Sequence, residues 1–169
     1  MSVALAFALA AALPASTPEL GKREGACRVN EPGPAVLVDI AGLKDRTGLL
    51  RAELYPAVDG AFLADDNLLI AAGKTFARVD MAVPSSGPVR LCIRVPRAGR
   101  YALSLLHDRN ANLRFDLSGD GIGFPGNPRL GWSKPRADKV AFQAGPGITT
   151  IAIRLNYRRG LAMRPLEDR

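Results

Sequence analysis

The chain is short of most residues that build reactive centres. Its 169 positions include one histidine, two cysteines and one tryptophan. A lone histidine with no clustered cysteines offers no ligand set for a zinc centre. No apolar run reaches the ~20 residues that a membrane-spanning helix needs, so a chain that crosses a bilayer by a helix is not expected. Acidic residues are also in deficit, 16 against 23 Lys and Arg, which leaves a formal net charge of +7. That balance favours anionic partners. Nucleic acid is not among those expected, because no recognition motif is present and aromatics are not interleaved with the basic residues.

What is present reads as one domain. The apolar fraction is 47%, with 17 glycines and 13 prolines, a composition suited to many short strands joined by tight turns. Residues 1–15 are apolar and carry no charged side chain. Val3 to Leu13 has the length of a signal-peptide core, and Ala10, Ala12 and Ala15 supply small residues for cleavage. No Lys or Arg precedes that core, so either the α-amino group supplies the usual positive charge or the true start lies upstream of Met1. Export to the periplasm or beyond is the expectation. Cys27 and Cys92 fit an oxidising compartment, and a disulfide between them is expected.

Residues 16–34 are polar and rich in Gly and Pro, and read as an N-terminal arm. The domain proper spans 35–157. Alternation of apolar and polar residues marks strands at 35–40, 49–55, 75–83, 89–95, 100–107, 139–143 and 149–157. Residues 65–72 could form one or two helical turns, with Asp65 or Asp66 as cap. Along 49–55, Leu50, Ala52 and Leu54 point inward, and Arg51, Glu53 and Tyr55 point outward. Along 89–95, Val89, Leu91, Ile93 and Val95 share one face and Cys92 lies on the other, so a disulfide there would tie the arm across the outside of a sheet. Residues 158–169 form a basic tail that is expected to fray. About seven strands, few helical periods and no βαβ rhythm point to an all-β, two-sheet sandwich.

The stretch between the fifth and sixth expected strands holds the sole histidine and a run of oxygen-bearing side chains: His107, Asp108, Asn110, Asn112, Asp116 and Asp120. With Val36 to Leu43, Gly48 to Tyr55, Pro96 to Leu103, Gly121 to Phe124 and Asn127-Pro128, it resembles an uncharacterised bacterial family of exported proteins, domain of unknown function 2141. The resemblance runs over roughly residues 35–157. It implies an immunoglobulin-like or prealbumin-like sandwich with no established activity. Two positions depart from the family pattern. Leu113 stands where a glycine would be, and Trp132-Ser133-Lys134-Pro135-Arg136 is unusually basic.

Three uses of the loop are open. Asp108, Asn110, Asn112, Asp116 and Asp120 place oxygens as a calcium loop does, but Leu113 replaces the turn glycine and Gly119 stands where the bidentate glutamate belongs, so this is not an EF-hand. The same side chains can instead bond their own backbone and build the loop themselves. A hydrolase centred on His107, with Ser104 or Ser118, is disfavoured because neighbours on a strand face opposite ways. The third use is recognition, with His107, Phe124, Asn127 and Trp132 as the surface and an envelope protein, glycan or anionic surface as partner. The expected function is a non-enzymatic, exported binding or structural module that needs no cofactor, with calcium as the alternative.

Overall fold

The computed structural model describes residues 13–166. The segment expected to direct export lies outside the described residues apart from 13–15. Two sheets face each other, as the alternation implied. One has three strands: β1 (Ala35–Ala41), β4 (Val89–Arg94) and β8 (Ile148–Arg154), in the order β4-β1-β8. The other orders its strands β10-β9-β6-β5-β2-β3. These are β2 (Leu49–Pro56), β3 (Ala77–Ala82), β5 (Gly99–Asp108), β6 (Gly121–Gly123), β9 (Asn156–Arg159) and β10 (Ala162–Pro165), while β7 (Ala141–Ala144) also pairs with β5. All pairings are antiparallel except β1 with β8.

The seven expected strands are present, and three differences bring the number to ten. The expected strand at 149–157 breaks into β8 and β9, because the chain leaves the small sheet for the large one. Leu155 sits at the crossing, fully buried, with its N–H donated to the Ala41 carbonyl at 3.0 Å. The glycine-flanked triplet Gly121-Ile122-Gly123 was too short to show alternation, yet it forms β6. The basic tail does not fray up to Leu166: β10 folds back on β9, pairing Met163 with Arg158 and Arg164 with Tyr157. The arginine-rich sequence hid that hairpin, since only half-buried Ala162 and Met163 mark an inner side.

The main core lies between the sheets. Val36, Val38, Leu50, Leu54, Leu91, Ile93, Leu103, Leu105, Ile153 and Leu155 are all essentially inaccessible. A second core covers the opposite face of the large sheet. Residues 57–76, which include the short helix α1 (Asp66–Ala71), bring Phe62 and Leu69 onto Tyr55 and Ala102, with Phe124 and Val140 closing the cluster. Tyr55, Phe62, Phe76 and Phe124 meet edge to face, at centroid separations of 5.5 to 5.8 Å, the favourable geometry for aromatic quadrupoles.

That second layer, the arm and the polar loop change the character of the outward-pointing residues. Arg51 and Arg78 are each only 7% exposed and Tyr55 only 3%. Buried guanidinium groups must be paired and hydrogen-bonded, and these are. Arg51 grips Asp80 through both Nε and Nη2, at 2.7 and 3.0 Å. Arg78 bonds Glu53 and Asp66, and donates to the Thr17 and Leu20 carbonyls of the arm. The arm is therefore fixed along its length. Its helical turn at Lys22–Gly25 packs against β3, and the Cys27–Cys92 disulfide fastens it to β4. Because β3 and β4 are edge strands of different sheets, the arm straps one side of the sandwich.

Candidate functional site

The polar stretch after β5 is anchored from below by its own histidine. His107 is fully buried at the end of that strand. Its Nε2 lies 2.8 Å from the Thr47 carbonyl and its Nδ1 lies 2.6 Å from the Tyr157 hydroxyl. A carbonyl can only accept, so Nε2 carries the proton and Nδ1 accepts from Tyr157. Tyr157 in turn accepts the Lys44 N–H at 3.1 Å. Burial lowers the His107 pKa from its ordinary value of 6.5, against the raising effect of the Thr47 carbonyl and Asp45. Burial likewise pushes the Tyr157 hydroxyl up to about 12. The imidazole is a neutral link between the 41–48 loop and the strand end.

Arg109 makes the same connection from outside. Its guanidinium forms an ion pair with Asp45, which pulls the Asp45 carboxyl down to about 2, and its Nη1 donates to the Gly119 carbonyl. Close approach is built in. Gly48 has a φ of +75°, and a Cβ there would overlap the Asp108 carbonyl; a Cβ at Gly121 would overlap the Tyr157 ring.

The carboxylates of the loop bond its own donors, and two of them take backbone N–H groups. Asp108 accepts the N–H groups of Asn112 and Leu113, and Asp120 accepts those of Arg109 and Asp116. Asp116 takes the side-chain amides of Asn110 and Asn112 at 2.8 and 2.7 Å. Leu113 adopts the left-handed turn geometry that a glycine would favour, at φ +65°. Asp108 holds its N–H and Arg51 holds its carbonyl, at 2.7 and 3.1 Å. Among the described residues no group of three or more His, Cys, Asp or Glu side chains is placed to hold a metal ion.

The four residues expected to form a recognition surface separate. His107 and Phe124 are core residues, 0% and 2% exposed. His107 alternates with Leu103 and Leu105 along β5, and that placement is what removes it from the surface. Asn127 and Trp132 do lie on the outside, and Trp132 is 87% exposed. Both line an open cleft between the 127–132 segment and the β9–β10 hairpin, together with Arg129, Arg154, Arg159 and Arg164. Among its described lining residues none is acidic. At about 1160 Å³ it exceeds the ~300–1,000 Å³ usual for enclosed small-molecule pockets. A smaller hollow beside it is lined by Leu117, Arg158 and Leu161, and shares Trp132, Ala162 and Met163 with the cleft.

Asp45, Thr47 and Tyr157 carry no motif that marks them as partners of His107. The 50-residue separation of Tyr157 from His107 is closed by the fold alone. Nothing in the sequence of the tail foretold its cleft-forming hairpin.

A family model described as an uncharacterised protein conserved in bacteria, DUF2141, matches residues 38–152. The chain belongs to this family. The matched region of this DUF2141 protein runs from β1 into β8, so it includes the polar loop and the Trp132 segment but stops before the β9–β10 hairpin. No curated protein and no solved structure matches the chain. Among the described residues no helix is long and apolar enough to cross a membrane.

Proposed function

We propose that the protein is an exported, non-enzymatic β-sandwich that binds at the bacterial envelope, with the cleft between the Trp132 segment and the β9–β10 hairpin as its binding face. The observation that carries this reading is the contrast between two polar regions. In the Asp108–Asp120 loop the carboxylates already hold the loop's own donors, and both nitrogens of His107 are engaged. The cleft instead presents exposed Arg129 and Arg164 and an exposed tryptophan to solvent. Arginine and tryptophan are the residue types that most often anchor interfaces. Loops and hairpins on a rigid sandwich are the usual carriers of recognition.

Export is supported by the Cys27–Cys92 disulfide, since such bonds persist in oxidising compartments, and by the apolar, uncharged residues 1–15. The non-enzymatic part of the proposal is supported by the engagement of His107 and its complete burial, which keep a substrate from reaching it. The polar loop is proposed to be a self-bonded scaffold. Calcium should then produce neither heat nor a shift in melting temperature, and a shift would assign the loop to an ion.

Fractionation of cells producing the full chain tests the reading as a whole. The expected result is an oxidised protein recovered with the periplasm, envelope or medium, and depleted from the envelope fraction when Arg129 and Trp132 are replaced. A reduced protein confined to the cytoplasm would overturn it.

A further inference from the structure

We infer that the Trp132 face docks onto a membrane surface carrying anionic headgroups, with Trp132, Leu161 and Leu117 entering the interfacial layer and Arg129, Arg158 and Arg164 contacting headgroup phosphates. The inference rests on the envelope-binding reading and names its partner class.

The apolar side chains are open to solvent. Trp132 is 87% exposed, Leu161 75% and Leu117 49%. They come from three separate parts of the chain, yet Leu117, Trp132 and Leu161 line a single hollow with Arg158. A contiguous apolar patch rimmed by charge marks an interaction site. The scaffold also holds the patch in place. Asn127 Oδ1 accepts the Arg154 N–H at 2.7 Å, Lys134 donates to the Phe62 carbonyl at 2.7 Å, and the β9–β10 ladder carries Leu161 at its turn.

Shape and charge together select a bilayer. A folded partner would need pockets matched to these exposed apolar side chains, whereas a lipid surface yields around them. Tryptophan is favoured at the boundary between headgroups and acyl chains, and guanidinium groups pair with phosphates in a forked geometry. The absence of acidic side chains among the described residues lining either hollow leaves the local field positive, which attracts an anionic leaflet.

Because Trp132 is the only tryptophan, its fluorescence reports the docking directly. The full chain is titrated with vesicles of phosphatidylglycerol mixed with phosphatidylcholine, with phosphatidylcholine alone, and with soluble polyphosphate. A blue shift and co-sedimentation are expected with the anionic vesicles at low salt, and reversal at high salt. Each basic group at an anionic surface contributes roughly a fivefold factor, so replacing Arg129, Arg158 and Arg164 together by Gln should weaken partition on the order of 100-fold. Leu161→Ser should weaken it several-fold. Those side chains are exposed, so unchanged melting temperatures are expected, and reversal of the native chain by salt reads the same electrostatics if a variant misfolds.

The inference is overturned by absence of a blue shift with anionic vesicles, by equal binding to neutral ones, or by indifference to both the arginine changes and salt. Polyphosphate binding as tightly as the vesicles, with no blue shift, would replace it with a soluble polyanion. Envelope recovery that persists without vesicle binding would remove only the lipid assignment, whereas confinement to the cytoplasm would remove the envelope reading itself.

Discussion

At the scale of single residues, the position of His107 governs what the polar loop can be. A histidine beside an aspartate invites a catalytic interpretation, but Asp108 turns to the N–H groups of Asn112 and Leu113 while His107 turns to Tyr157 and Thr47. Removing the tyrosine hydroxyl leaves Nδ1 and the Lys44 N–H without their partner, so Tyr157→Phe is expected to cost about 1–3 kcal/mol in urea unfolding. The histidine also imposes a pH dependence. Its folded pKa is lowered, so below the unfolded value near 6.5 the unfolded chain binds the extra proton and the folded one resists it. Stability should therefore fall as pH drops from about 6.5 towards the lowered folded value. Asp45 acts lower still: its stabilising effect is present above 3.8 and is lost as pH falls through about 2. Urea midpoints of the native chain and a His107→Gln variant between pH 7 and 5 would separate the two, with the steeper slope expected for the native chain.

At the scale of elements, the N-terminal arm does more than precede the domain. It supplies the Thr17 and Leu20 carbonyls that complete the coordination of buried Arg78, and places Gly25 where any Cβ would meet the Arg78 carbonyl. The disulfide then closes a chain separation of 65 residues. By loop entropy such a bridge stabilises by up to about 4 kcal/mol. Replacing both cysteines by serine should lower stability by an amount in that range, measured by denaturant unfolding, and increase hydrogen exchange first in residues 16–26. An unchanged exchange pattern would mean that the noncovalent contacts of the arm, those to Arg78, Asp66 and Asp80 among them, hold it without the bridge.

For the molecule as a whole, two cores share one sheet. Leu54 and Leu103 face the main core, while their neighbours Tyr55 and Ala102 belong to the second. Strands β2 and β5 cannot be lost from one cluster without disrupting the other, so unfolding should be a single transition. Phe62→Ala, at a fully buried site of the second cluster, should cost about 3–5 kcal/mol and lower one melting transition while keeping its calorimetric and van't Hoff enthalpies equal. Two resolved transitions would show that the outer layer melts by itself.

The sequence by itself determined the two-sheet sandwich, the inward rows of its strands and the outer-face position of Cys92, because alternation with period two is a local property that burial on one face imposes. It also determined the polar loop as a distinct stretch, because Asp, Asn and Gly declare their turn chemistry locally. Only the tertiary structure decided what those residues face. Arg51 is buried beside Leu113 of the polar loop and Arg78 beneath the arm and Asp66, and no pattern within β2 or β3 records that cover. His107 became a structural link because Thr47 and Tyr157 arrive from 60 and 50 residues away. The proposed recognition face lost His107 and Phe124, kept Asn127 and Trp132 and gained the hairpin for the same reason: exposure is a relation between distant segments, and it exists only once the chain has closed.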